Sequence, residues 1–175
     1  MAEETSASNC KIQLRLASCQ DDLDALRPLS TAFHQESRFS KVPYSFDKRD
    51  ALFQRALDTP DFSALIIAER QGKPVGFLFC TVGEYIVGTG DLFTTIHSFY
   101  ISKDLRNTLA SGRAATRLIK SAIKWSKMRQ VQEIMVHVTS GLDLKRTDRF
   151  FRHAGFEVIG GNYALALSAR PGARE

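Results

Sequence analysis

Small residues precede a predicted basic amphipathic helix, in a position where they could bind a diphosphate. Ser111, Gly112, Ala114 and Ala115 follow a predicted strand over 92–101. The first turn of a helix leaves about four backbone N–H groups without partners and carries roughly half a positive charge. Phosphate oxygens bind there when the nearby side chains are small. The segment therefore predicts a phosphate-binding turn, although the GxxxxGK(S/T) and GxGxxG motifs are both absent.

Two side chains near this turn offer acid–base chemistry. His97 lies within the predicted strand 92–101, and Glu84 ends the preceding predicted strand beside Tyr85. An alkyl ammonium must lose its proton before it attacks an acyl donor, and either group could accept that proton. The choice between His97, Glu84 and a water molecule held by them stays open at this stage.

Composition favours one domain that binds an anionic ligand. The 175 residues are 43% hydrophobic, and 24 Lys+Arg against 19 Asp+Glu give a net charge of +5. Three cysteines without CxxC spacing argue against a disulfide framework and against a metal site, so we expect a reducing cytoplasm. We expect no membrane association, because no long apolar run and no signal-peptide pattern is present. Nucleic acid is disfavoured, since no stripe of aromatic and basic residues is evident.

Hydrophobic periodicity and turn residues predict the elements that position these groups. Strands are predicted over 12–16, 64–69, 75–85, 92–101, 133–138, 156–159 and 163–167. Helices are predicted over 22–34, kinked or split at Pro28, then from Asp47 to 58, from about Gly112, and over 142–154. We expect a domain over 11–168 between flexible tails at 1–10 and 169–175.

Three segments in this order resemble the GNAT (GCN5-related) N-acetyltransferases. Residues 100–102 (YIS) with Arg106, and residues 113–118 (RAATRL), resemble the family's motif A, Q/R-x-x-G-x-G/A, with about four extra residues between them. Residues 68–77 (AERQGKPVGF) resemble the family's second hairpin, and residues 150–160 (FFRHAGFEVIG) its helix-to-strand signature.

The resemblance implies an α/β GNAT fold. Its sheet is mixed, mostly antiparallel and six- to seven-stranded, splays after the central strand, and is flanked by about four helices. It also implies acetyl-CoA as co-substrate, without a metal. The residues that match the cofactor-binding positions are Phe99, Tyr100, Ile101, Arg106, Ser111, Gly112, Arg113, Ala114 and Ala115.

The chain departs from the family pattern at both catalytic positions. The central strand 92–101 carries no carboxylate, and Phe151 stands where the family has a tyrosine. We therefore predict Glu84 or His97 as the base and Tyr163 as the replacement hydroxyl. The predicted acceptor-binding residues are Glu36, Tyr44 and Tyr85.

The leading functional prediction is acetyl transfer to a primary amine: a small molecule, a peptide N-terminus or a lysine. The alternative is a GNAT-fold domain that binds acyl-CoA or a partner without catalysis, which the two departures favour. Acetylation of aminoacyl-tRNA is a third, weaker alternative suggested by the basic composition. A homodimer is compatible with each of these functions.

Overall fold

A computed structural model describes residues 11–161, in two compact units. The first unit, up to Leu142, contains β1 (Gln13–Leu16), α1 (Gln20–Ala25), α2 (Arg27–Glu36), α3 (Phe46–Asp58), β2 (Ser63–Arg70), β3 (Lys73–Glu84), β4 (Leu92–Ile101), a 3₁₀ turn (Lys103–Leu105), α4 (Leu109–Lys127) and β5 (Glu133–Val136). The second unit begins at Asp143 and contains α5 (Leu144–His153). The predicted tails, the predicted strand 163–167 and Tyr163 lie outside the described residues.

The five strands form one sheet in the order β1-β2-β3-β4-β5. The first three pairings are antiparallel, whereas β4 and β5 are parallel. This confirms the predicted mixed, mostly antiparallel sheet. The described residues contain five of the predicted six to seven strands, and residues 156–159 form no strand pairing within residues 11–161. The predicted strand 156–159 therefore stays a prediction. A strand needs a neighbour, and the hairpin partner predicted for this one lies beyond the described part of the chain.

The predicted first helix is split, as Pro28 indicated. One helix ends at Ala25 and the next begins at Arg27, with Pro28 in its first turn. Proline is tolerated in a first turn because its missing N–H would have no partner there. The described residues contain five α-helices where about four were predicted, and this split accounts for the extra one.

Helices pack on both faces of the sheet. On one face, Phe77 and Phe79 of β3 are fully buried against Leu23, Leu26 and Phe53 of α1 to α3. On the other face, the Thr94 hydroxyl of β4 lies 2.7 Å from the Ser126 hydroxyl of α4. The elements that surround β4 are therefore fixed by packing on either side.

Gly76 allows the end of β4 to lie close against β3. A Cβ atom at this position would lie 2.7 Å from Ile101 Cδ1 and 2.8 Å from the Tyr100 carbonyl oxygen. Both distances are too short for a real contact, so a side chain at residue 76 would push the last two residues of β4 away.

Asp22 holds the start of α1, where Cys19 provides no side-chain cap. Its buried carboxylate accepts a hydrogen bond from the Ser18 amide at 2.8 Å and forms an ion pair with Arg15 at 2.6 Å. Hydrogen bonds from Arg15, which outweigh burial, hold the pKa of Asp22 well below its ordinary value. A lowered pKa stabilises the fold above about pH 4, and this contribution is lost as pH falls further.

We expect Asp22→Asn to lower the free energy of unfolding by about 1 kcal/mol at pH 7, because it weakens charge-assisted hydrogen bonds. Urea unfolding measures this loss, and the difference from wild type should shrink as pH falls below about 4. Asp21→Asn, in the same turn but exposed, is the matched control. An equal loss in both variants would mean that the helix dipole, not the Ser18 and Arg15 contacts, accounts for the effect.

Candidate functional site

The sheet opens along the second half of β4. This strand pairs with β3 over its whole length, from Leu92 to Ile101. Its parallel register with β5 covers only Phe93 to Ile96, which pair with Glu133 to Val136. Beyond Ile96 the edge of β4 on this side has no described strand partner, because β5 ends at Val136. A ligand could enter at this opening.

His97 is the extra residue of a β-bulge and directly follows Ile96, the last residue of β4 that pairs with β5. Phe79 pairs with Ser98 and Cys80 with Ile96, which leaves His97 without a counterpart on β3. The exposed imidazole packs 5.7 Å from the Phe79 ring, and its Nε2 lies 2.7 Å from the Thr81 hydroxyl. Bulges redirect side chains, and this one presents an imidazole beside the opening.

The surroundings of His97 favour its neutral form. Loss of solvation lowers its pKa first, and the positive field of Arg55 and His137 lowers it further. A neutral imidazole can accept a proton at neutral pH. The arrangement can therefore serve as a general base.

Glu84 and Tyr85 lie beside the first residue of β4, away from the opening at its second half. Glu84 pairs with Leu92, and its carboxylate accepts a hydrogen bond from the Gly90 amide at 2.9 Å. Five residues of extended strand separate Leu92 from His97, about 17 Å. The structure therefore does not bring Glu84 to the opening, and it gives the carboxylate a local role in the β3–β4 loop. Tyr85 follows in that loop with 60% of its surface exposed.

Glu36 was predicted to attract an amine, but both of its carboxylate oxygens already have protein partners. Oε1 accepts a hydrogen bond from the Tyr100 hydroxyl at 2.6 Å, and Oε2 pairs with Arg106 Nη1. The Arg106 Nε donates to the Ile101 carbonyl at 3.0 Å, and its guanidinium carbon lies 5.0 Å from the centre of the Tyr100 ring. The contacts join α2, the end of β4 and the residue after the 3₁₀ turn.

Charges within this cluster are balanced. Burial tends to raise the pKa of Glu36, but hydrogen bonds from Tyr100 and Arg106 outweigh it, so the pKa lies below its ordinary value. Burial and the bond to Glu36 raise the pKa of Tyr100 to about 12. Glu36 is therefore a carboxylate neutralised by Arg106, and Tyr100 is a phenol that donates to it. Neither is positioned as an isolated charge for an incoming ammonium.

Tyr44 packs against α2, the helix that ends at Glu36. Its hydroxyl donates to the Ser30 hydroxyl at 3.0 Å, and its ring lies 5.1 Å from the His34 ring. The predicted acceptor residues Glu36 and Tyr44 thus both belong to the α2 region, whereas Tyr85 lies in the β3–β4 loop.

The helix that follows β4 begins at Leu109, three residues before the predicted start at Gly112. Thr108 is its N-cap, accepting a hydrogen bond from the Ser111 amide at 3.2 Å and donating to the Leu105 carbonyl at 2.6 Å. Asn107, with a φ of 64°, makes the turn before it. The residues taken for an insertion are therefore this turn and the first turn of α4.

This start changes which groups face a ligand. The amides of Arg113, Ala114 and Ala115 lie inside the helix, where each bonds to the carbonyl one turn back. The Ser111 hydroxyl is buried and donates to the Thr108 carbonyl at 2.8 Å. The amides of Leu109 and Ala110 have no acceptor in their own helix, so they are the backbone donors that this helix start leaves available.

Gly112 and Arg113 remain exposed in the first turns of α4. A Cβ atom at residue 112 would meet nothing within 4 Å, and Arg113 makes no ion pair within the described part of the chain. Open space, two available amides and an exposed guanidinium fit a pyrophosphate. The predicted backbone contacts of Phe99, Tyr100 and Ile101 with a cofactor stay predictions, and the Ile101 carbonyl already accepts the Arg106 bond.

The second unit contains residues 150–160, which resemble the helix-to-strand signature of the GNAT family. Phe151 is buried on α5, and Gly155 follows the helix with a φ of 92°. The prediction that Tyr163 supplies a hydroxyl falls outside residues 11–161.

Residues 11–161 contain no group of three or more His, Cys, Asp or Glu side chains that could hold a metal ion. Among the described helices, none is both long and apolar enough to cross a membrane.

Solved structures similar to this one include acetyltransferases. AAC(6')-Iy, in complex with the bisubstrate analogue CoA-S-monomethyl-acetylneamine, has a TM-score of 0.67 at 16% identity, covering 91% of this chain and 99% of that one. The ribosomal-protein-alanine N-acetyltransferase from Brucella melitensis biovar Abortus 2308 has a TM-score of 0.64 at 16% identity, covering 90% of this chain and 100% of that one. At such identities the likeness shows the fold.

Sequence comparison adds the family. An uncharacterized N-acetyltransferase of Methanocaldococcus jannaschii is 29% identical over 139 residues, which are 79% of this chain. The match spans 58% of that relative's length. Residues 24–156 match the model of the acetyltransferase (GNAT) family. With more than half of its residues matched, the chain belongs to the GNAT family of acetyltransferases.

Proposed function

We propose that this chain transfers an acetyl group from acetyl-CoA to a primary amine, with His97 as the general base. The observation that carries the proposal is the bulge at His97. It presents an imidazole with a lowered pKa directly after Ile96, where the pairing of β4 with β5 ends. The family uses acetyl-CoA as co-substrate, and the first turn of α4 has the open space and donors that its pyrophosphate requires.

The roles of the residues follow from these positions. The amides of Leu109 and Ala110 and the guanidinium of Arg113 bind the pyrophosphate. His97 takes the proton that the acceptor ammonium must lose, and Thr81 holds the imidazole through Nε2. Acetyl-CoA supplies the acetyl group as a thioester. The amine nitrogen bonds to the acetyl carbon while the C–S bond breaks, and the second proton that the nitrogen loses as the amide forms passes to solvent. CoA departs as a thiolate, whose pKa of roughly 8.5 makes a protein acid dispensable.

The charges around His97 favour an acceptor with a single amine. Arg55, whose guanidinium stays charged at neutral pH, is a described group whose positive field reaches His97. Arg55 makes no ion pair within residues 11–161. A second ammonium on the acceptor would be repelled there, whereas a carboxylate would be attracted. We therefore propose amino acids and peptide N-termini as acceptors ahead of polyamines.

A thiol-release assay with acetyl-CoA tests this. The acceptors are free amino acids, peptides that begin with alanine, lysine peptides, spermidine and neamine. We expect turnover with monoamines that carry a carboxylate and at least about tenfold lower kcat/KM with spermidine, because like charges repel. Preference for spermidine would contradict the acceptor assignment. Acetyl-CoA binding by calorimetry without turnover on any acceptor would instead favour the non-catalytic alternative, which the missing strand carboxylate and Phe151 suggested.

A further inference from the structure

Arg106 occupies the leading arginine position of motif A, yet its guanidinium is directed into the protein. It contacts the Ile101 carbonyl, the face of Tyr100 and the carboxylate of Glu36. Glu36 lies 70 residues earlier, at the end of α2. We propose that Arg106 is a positioning residue, held by Glu36 and Tyr100, that fixes the turn before α4, and that it does not bind phosphate. The inference rests on the proposed acetyl-CoA site.

The turn that follows Arg106 needs such a constraint. Asn107 is in the left-handed region with a φ of 64°, a conformation that costs energy for residues other than glycine, although asparagine tolerates it better than most. Thr108 then fixes the start of α4 through its bonds to Leu105 and Ser111. Those bonds are local. The contact with Glu36 is the one in this cluster that ties the turn to a distant helix.

The position of Glu36 supports the same conclusion. A carboxylate near a site for a polyanion repels the polyanion and weakens its binding, unless the charge of the carboxylate is neutralised by a protein partner. Here both of its oxygens are engaged, and its charge is neutralised by Arg106. Arg113, in contrast, is exposed on the first turns of α4 with no ion-pair partner within residues 11–161. The two arginines therefore have different roles. Arg106 positions the turn at Asn107, before α4, and Arg113 contacts the ligand.

Glu36→Gln separates the two roles that Arg106 could have, because they predict opposite signs. If Arg106 bound phosphate, loss of the Glu36 charge would release it and strengthen CoA binding. If Arg106 positions the turn, the same variant loosens it, and we expect CoA binding to weaken by about fivefold to tenfold. Calorimetry with CoA measures this sign. Tyr100→Phe keeps the ring beneath Arg106 and should give a smaller loss of the same sign.

Amide hydrogen exchange of the apo protein over residues 102–110 gives a second readout that does not depend on CoA. We expect faster exchange in Glu36→Gln and wild-type exchange in Arg113→Ala, which should still lose about tenfold or more in CoA affinity. Tighter CoA binding by Glu36→Gln, or unchanged exchange in that variant, would overturn the positioning role. Failure of the wild type to bind CoA would instead overturn the proposed function, while the exchange comparison would still decide whether Glu36 and Arg106 hold the turn.

Discussion

His97→Ala should lower kcat/KM by about 10²- to 10⁴-fold, the usual contribution of a general base. The acceptor is whichever amine the screen identifies, and acetyl-CoA affinity should be unchanged because the proposed role of the imidazole is to take a proton from the acceptor. Glu84→Gln is the matched control. It removes the other predicted base but alters only the bond to Gly90, so we expect activity within about twofold of wild type.

The pH profile tests the same assignment independently. His97 acts as a base only when neutral, so kcat/KM of the wild type should fall as the pH drops below the pKa of His97. Since burial and the field of Arg55 and His137 lower that pKa, the acidic limb should lie below the ordinary value near 6.5. Thr81→Val should reduce kcat with the ring retained, because Nε2 loses its partner. Activity that survives in His97→Ala with an unchanged profile would exclude His97 and favour transfer assisted by solvent.

The sequence predicted the elements that depend on local patterns. The bounds of β4, 92–101, are those predicted, since the strand is flanked by clear turn residues. The split at Pro28 was predictable because proline lacks the N–H that a helix interior needs. The start of α4 was missed although its signal was present. Thr108 is a favourable N-cap, which indicates a helix start at Leu109. The prediction relied instead on the small residues from Ser111 onward and placed the start at Gly112.

The site depended on information that no single segment contains. The bulge at His97 is a property of the register between β3 and β4. The same register places Thr81 beside the imidazole and pairs Glu84 with Leu92, five residues before His97 on β4. The pairing of Glu36 with Arg106 joins residues 70 positions apart, so neither sequence neighbourhood indicates it. Both residues were named as candidates for ligand binding, and the tertiary contact between them is what changes their role.

Gly112→Asp should weaken acetyl-CoA binding by roughly 10- to 100-fold, because a carboxylate in the first turns of α4 repels the pyrophosphate across a few ångströms. The variant should fold normally. A Cβ atom at residue 112 meets nothing within 4 Å, and a negative charge near a helix N-terminus is favourable. Calorimetry measures the affinity, and thermal unfolding without ligand checks that the melting temperature does not fall.

Gly112→Asn separates charge from size in this prediction, because asparagine has the shape of aspartate without its charge. We expect the asparagine variant to lose much less affinity than the aspartate variant, since the open space at residue 112 accommodates either side chain. Equal losses would mean that the ligand itself fills that space and that a small residue is required there for close approach. Wild-type affinity in both variants would show that the pyrophosphate does not bind at the start of α4, and the proposed roles of Leu109, Ala110 and Arg113 would fall with it.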